Sequence, residues 1–200
     1  LRIPFALLIA FGGAGCDFKQ SGPTDTPPEI AALSDLKPDA LVEGRATLAM
    51  GSMKSDVEIR SERVDDKLRI DLLTGGEVLE TEEYLVTGHE MLLSKAAYDQ
   101  YRPPLPLLTF PLRLAHETKW EGELVAGVPR KASATITCGL DKLFIPTPQE
   151  AVRVDVVLLL DTGANELAKR KLAFWFVKDK GLLKREFGEG LTREPLVGAE

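Results

Sequence analysis

From Leu41 onward the chain alternates apolar and polar residues with a period of two, and this constrains its fold more than any other feature. Val57 and Ile59 alternate with Asp56, Glu58 and Arg60. Leu68, Ile70 and Leu72 alternate with Lys67, Arg69 and Asp71, and Ala134, Ile136 and Cys138 with Ser133, Thr135 and Thr137. Val152, Val154, Val156, Leu158 and Leu160 share one side, opposite Arg153 and Asp155. Successive side chains of a strand point to opposite faces, so this pattern describes strands with one buried and one wet face, the habit of antiparallel sheets. Turn residues separate the runs at Asp65-Asp66, Gly75-Gly76, Gly88, Gly127, Gly139, Gly163 and Gly181. About nine or ten strands of ordinary length fit between residues 41 and 190.

Helix-friendly composition is confined to Ser94–Tyr101, to Ala164–Arg170, and to Ile30–Leu36 after Pro27-Pro28. The expected fold is therefore mainly β. It is a single domain over 41–200, a strongly curved antiparallel sheet or partly open barrel with one or two short helices. Val157 and Leu159 make the end of the Val152–Leu160 run apolar on both faces, so that stretch is expected to be covered on both sides. Pro103, Pro104 and Pro106 set Leu105–Leu114 apart as a loop draped over a sheet edge, because proline cannot donate to a central ladder.

The first sixteen residues have a different character. Arg2 precedes an apolar run from Ile3 to Phe11, followed by Gly12-Gly13-Ala14-Gly15 and Cys16. A charged start, a short apolar core and small residues before a cleavage point describe an export signal. The run is shorter than the ~20 residues that span a bilayer. Residues 16–40, with Pro23, Pro27, Pro28 and Pro38 and few aromatics, have the composition of a solvated tether.

Gly13-Ala14-Gly15-Cys16 resembles the lipobox of bacterial lipoproteins, with Gly13 where that family prefers Leu. The resemblance implies that residues 1–15 are cut away, that the Cys16 thiol carries a diacylglycerol, and that the protein is held on a membrane of the cell envelope. It would face the periplasm or the cell exterior, and Asp17 resembles an inner-membrane retention signal of some bacteria with two membranes. Plain secretion with an incidental Cys16, and a short buried N-terminal helix, are the competing readings of the same residues.

A second resemblance lies in the C-terminal half. Pro103-Pro104-Leu105-Pro106-Leu107-Leu108, Trp120-Glu121-Gly122, Phe144-Ile145-Pro146 and the run from Phe174-Trp175-Phe176 through Lys178-Asp179-Lys180-Gly181-Leu182-Leu183-Lys184 follow one layout. It looks like that of uncharacterised bacterial exported proteins and lipoproteins that end in an aromatic hairpin. The wider fold is similar to the half-barrel of the LolA/LolB lipoprotein carriers, whose curved sheet encloses an apolar cavity. That likeness implies a sheet binding an apolar ligand or a lipidated partner, with Trp120, Phe174, Trp175 and Phe176 as candidate rim residues. The plainer reading of the last three is a stabilising hairpin in which Phe174 and Phe176 face one way and Trp175 and Val177 the other.

Catalytic and metal chemistry find little footing. The histidines stand in His89-Glu90 and His116-Glu117, and neither extends to His-Glu-x-x-His. Neither a Gly-x-Ser-x-Gly elbow nor a phosphate-binding glycine loop occurs. The chain holds two cysteines, too few for a disulfide scaffold or a four-thiolate zinc site, and Cys138 reads as a small buried hydrophobe. Glu80, Glu82 and Glu83 read as a solvated strand face. A net charge of -6 argues against a nucleic-acid partner. The expectation is a protein that is not an enzyme and needs no cofactor. A tethered interaction module without a small ligand is the alternative.

Overall fold

A computed structural model describes residues 29–30, 36–37, 40, 43–163, 167–188 and 191–195. The strands run β1 (Glu29–Ile30), β2 (Gly44–Met50), β3 (Met53–Val64), β4 (Lys67–Thr74), β5 (Glu77–Val86), β6 (Glu90–Ala96) and β7 (Asp99–Thr109). They continue with β8 (Leu112–Arg113), β9 (Glu117–Ala126), β10 (Val128–Phe144), β11 (Pro148–Asp161), β12 (Leu167–Val177), β13 (Gly181–Phe187) and β14 (Leu191–Pro195). Twelve of them form one antiparallel sheet that closes on itself in the order β10-β11-β12-β13-β14-β2-β3-β4-β5-β6-β7-β9. β1 and β8 make a separate two-residue ladder, Glu29 opposite Arg113 and Ile30 opposite Leu112.

The expected curved sheet is thus present, and curvature has carried it to closure. Alternation decides which side is inside. Val57 and Ile59 of β3, Leu68, Ile70 and Leu72 of β4, and Val152 to Leu160 at every second position of β11 pack in one interior core. The outward positions carry Asp56, Glu58, Arg60 and Glu62 on β3 and Lys67 and Arg69 on β4, all exposed. A barrel apolar within and charged without is the reverse of a membrane-spanning barrel, which turns its apolar face to lipid.

Three sequence expectations are corrected. Among the described residues there is no helix: Ser94–Tyr101 is the β6–β7 hairpin, and Leu167–Arg170 opens β12. Each of these short polar stretches sits between strands that pair over most of their length, so ladder hydrogen bonds outweigh local helix preference. Val157 and Leu159 are half-buried on the outer face, where the aliphatic stems of Lys171 and Lys169 flank them in register. The proline segment is a strand, not a draped loop. β7 pairs with β9 only through Gln100, Tyr101 and Arg102, and from Leu105 onward its ladder partner is β6. One side of this stretch is therefore a local edge, and Pro103 and Pro104 fall where the β6–β7 register shifts; edges and bulges are where proline's missing N–H is tolerated.

The narrow β7–β9 seam is closed by side chains below its three residue pairs. Trp120 lies 6% exposed, its indole Nε1 donates to the Pro103 carbonyl at 3.2 Å, and its ring meets Tyr101 edge-on at 6.2 Å. Gly122 makes this possible, since a Cβ there would stand 2.4 Å from the Arg102 carbonyl oxygen and 2.6 Å from the Trp120 ring.

Hairpins β2–β3, β4–β5, β6–β7, β9–β10 and β11–β12 turn at one end of the barrel, called upper here, and β3–β4, β5–β6, β10–β11 and β12–β13 turn at the lower end. The chain arrives at the lower end. Leu36 is buried in the core, its carbonyl accepts from Gly181 N–H at 3.1 Å, and Lys37 pairs with Asp179 at 3.0 Å. Part of the segment assigned by composition to the tether is therefore docked on the β12–β13 turn.

Candidate functional site

A concavity of about 890 Å³ opens at the upper end. Ala96 and Tyr101 of the β6–β7 hairpin form one wall, and Ala168 and Leu172 of β12 with Phe187 of β13 form the other. These elements are not neighbours in the sheet. β12 and β7 are separated by β11, β10 and β9, so the Arg170 Nη1 to Asp99 Oδ2 bond of 2.8 Å crosses the mouth. Burial, and then the nearby Asp99 carboxylate, push the Tyr101 phenol well above its ordinary range, so it stays neutral.

A charged cluster lies buried inside the barrel. Arg185 of β13 is fully enclosed; its Nε donates to Glu82 Oε1 and its Nη2 to Glu80 Oε1 at 2.7 Å. Tyr84 donates its hydroxyl to the other Glu82 oxygen at 2.6 Å. Burial works against the guanidinium charge, but Glu82 and then Glu80 outweigh it and hold the Arg185 pKa above its ordinary value. Four strands separate β13 from β5 around the ring, so this network spans the interior. The Arg185 guanidinium lies 4.4 Å over the Phe187 ring, and Phe187 meets Phe174 edge-on at 5.4 Å. Phe187 thus joins the cavity wall, the ion cluster and the aromatic core.

The solvated face expected for the glutamates holds for Glu83, which pairs with Lys95 at 3.8 Å on the outside. Glu80 and Glu82 turn inward instead, because they share parity with Tyr84 and Val86. That parity was readable in the sequence; the partner was not. Simple alternation from Leu182 points Lys184 and Glu186 inward. A bulge between Trp175 and Phe176 pairs Leu182 with Phe176 and Lys184 with Trp175, skipping Leu183 and turning Arg185 in.

Of the residues singled out by sequence, Cys16 lies outside the described residues. Phe174 and Phe176 are fully buried in the interior, Trp120 closes the seam, and Trp175 is on the outer face, so none of these four lines the upper cavity. Phe174 and Phe176 do face opposite to Trp175 and Val177. Trp175 packs with Leu143, Ala151, Ala173 and Val177, donates to Asp141 Oδ2 at 2.8 Å, and lies between Lys184 and Arg153 at 4.7 and 5.0 Å from the ring centre. It is a strut that holds the long β10–β11 hairpin to β12. The residues that do line the cavity, among them Ala96, Tyr101, Ala168, Leu172 and Phe187 with the charged Asp99, Lys169, Arg170 and Lys171, carry no motif.

His89 and His116 are exposed. His116 shares a depression of about 250 Å³ with Cys138. That pair does not suit thiolate chemistry, because burial pushes the Cys138 thiol up to about 11, whereas a nucleophilic cysteine is shifted down. The Cys138 thiol points instead at the Leu107 carbonyl, 3.8 Å away.

No family model and no curated protein matches the chain. Among solved structures, a protein from Parabacteroides distasonis ATCC 8503, described as a candidate lipoprotein, is similar at 9% identity with a TM-score of 0.46, over 82% of this chain and 96% of that one.

Proposed function

We propose that the protein is a lipid-anchored, non-catalytic component of a bacterial cell envelope whose barrel mouth binds the apolar body of a small amphiphile or of a lipidated partner. The anchor rests on the sequence: Arg2, the Ile3–Phe11 run, the small residues 12–15 and Cys16. The binding role rests on the upper cavity. Its volume, about 890 Å³, is in the range of small-molecule sites, roughly 300–1,000 Å³. Its walls mix apolar side chains, Ala96, Ala168, Leu172 and Phe187, which favour burial of hydrocarbon, with Asp99, Lys169, Arg170 and Lys171, which offer charge to a polar head group.

Mass spectrometry of protein purified from its own envelope tests both parts. A diacylglycerol thioether on Cys16 supports the anchor, and unchanged membrane partition of Cys16→Ala would remove it. A co-purifying amphiphile lost from Ala168→Trp supports the cavity; absence of bound mass in the unmodified protein counts against it. A second reading, a tethered interaction module, is favoured by the interior below the mouth, where Phe174, Phe176, Leu158 and Leu93 are all fully buried. Stoichiometric protein partners without bound lipid are its expected signature.

A further inference from the structure

The exposed large apolar side chains are distributed unevenly. Met50 and Met53 at the β2–β3 turn, Val78 and Leu79 after the β4–β5 turn, Tyr98 at the β6–β7 turn, Val128 at the β9–β10 turn and Leu167 after the β11–β12 turn are each at least half exposed, and all belong to the upper end. Among the described residues only Val64, Leu140 and Phe144 are comparably exposed elsewhere. Met50, Met53 and Val128 keep the inward parity of their strands but stand above the packed core, at the opening; a bulge pairs Val78 with Leu73 and turns it to the outer side of the same end. Soluble proteins seldom gather exposed apolar groups in this way without a partner.

From this geometry we infer that the upper rim docks on the surface of a lipid bilayer. The apolar groups sit on five separate hairpin tips around an opening, a discontinuous crown that a fluid interface can take up and a rigid flat surface meets poorly. Basic residues stand directly behind three of the tips: Lys54 after Met53, Arg130 and Lys131 after Val128, and Lys169 and Lys171 after Leu167, all exposed. This order, apolar tip then cation, matches the layering of acyl chain and phosphate at an interface. Among the described acids at this end, Asp99 is paired with Arg170 and Glu123 stands opposite Lys131, while Glu77 and Asp161 are exposed. The rim lies at the end opposite the docking of Leu36 and Lys37, so the chain's point of arrival leaves it clear.

The docking does not depend on a ligand in the cavity, and its test reads no ligand. Full-length Tyr98→Trp and, as lower-end control, Val64→Trp are mixed with phosphatidylethanolamine–phosphatidylglycerol vesicles carrying brominated acyl chains. Trp120 and Trp175 are buried and supply a common background. Indole quenching at position 98 is expected to be at least about twofold greater than at 64, and Met53→Asp with Val128→Asp is expected to erase the difference. Both aspartates replace exposed side chains, and an unchanged urea midpoint verifies the fold. Equal quenching at the two positions, or none at 98, overturns the inference and leaves the rim to a protein partner.

Discussion

Arg185 carries the sharpest residue-scale consequence. A guanidinium with two carboxylates, all buried, is held by mutual attraction against a large desolvation cost. Arg185→Met is expected to destabilise the fold by about 3–5 kcal/mol, since it strands Glu80 and Glu82 without a counter-charge. Adding Glu80→Leu and Glu82→Leu is expected to recover most of that loss, and urea midpoints of the single and triple variants check it. At Cys138, burial raises the thiol from 9.0 to about 11. The folded state keeps this proton longer than the unfolded chain, so the contribution is whole below about pH 9 and is lost as pH rises toward 11. Native Cys138 is expected to resist maleimide at pH 8 and to react promptly in denaturant, read by peptide mass mapping that separates it from Cys16. At this scale the sequence was partly legible. Cys138 as a buried apolar group followed from its parity with Ala134 and Ile136, whereas the Arg185 pairing depends on a bulge that alternation does not encode.

Among the elements, the β12–β13 hairpin bears most on how the chain is held. Gly181 has φ of +71°, and a Cβ there would stand 2.7 Å from the Lys37 carbonyl oxygen. Gly181→Ala is expected to cost at least about 1 kcal/mol and to expose residues 36–40 to protease, detected as accelerated cleavage there with the barrel intact. The β10–β11 hairpin is held by a different contact. The Trp175 indole, then the Lys142 backbone N–H, then Arg153 hold the Asp141 carboxyl below its ordinary 3.8. A depressed carboxyl stabilises above its unfolded pKa and loses that contribution as pH falls through the folded value. Trp175→Phe is therefore expected to raise the Asp141 pKa toward 3.8, measurable by carboxyl NMR titration. Strand identity was legible wherever alternation was clean, as in β3, β4 and β11. The prolines of β7 misled because their tolerance depends on where the neighbouring ladder stops, and Ser94–Tyr101 misled because helix preference in a short stretch is weak beside strand pairing on both sides.

Across the whole molecule, the aromatic pair Phe174 and Phe176 is buried in the interior. Phe174→Ala is expected to cost about 3–5 kcal/mol, the range for a large buried aromatic, read by thermal or urea unfolding. Class and polarity of the fold follow from the chain alone: period-two alternation leaves a sheet one apolar face that must be kept from water, and this sheet does so by curling inward. The proposed export signal and Cys16 anchor rest likewise on linear sequence, because such signals are read in an extended chain. The remaining features arise only in the folded chain. Ring closure through three residue pairs, the crossing of Arg185 to Glu82 and of Arg170 to Asp99, the cavity walls, and the gathering of Met53, Tyr98 and Val128 on one rim each join residues far apart in sequence. Such meetings are set by sheet curvature, bulges and strand register, which are properties of the paired strands together and not of any one of them.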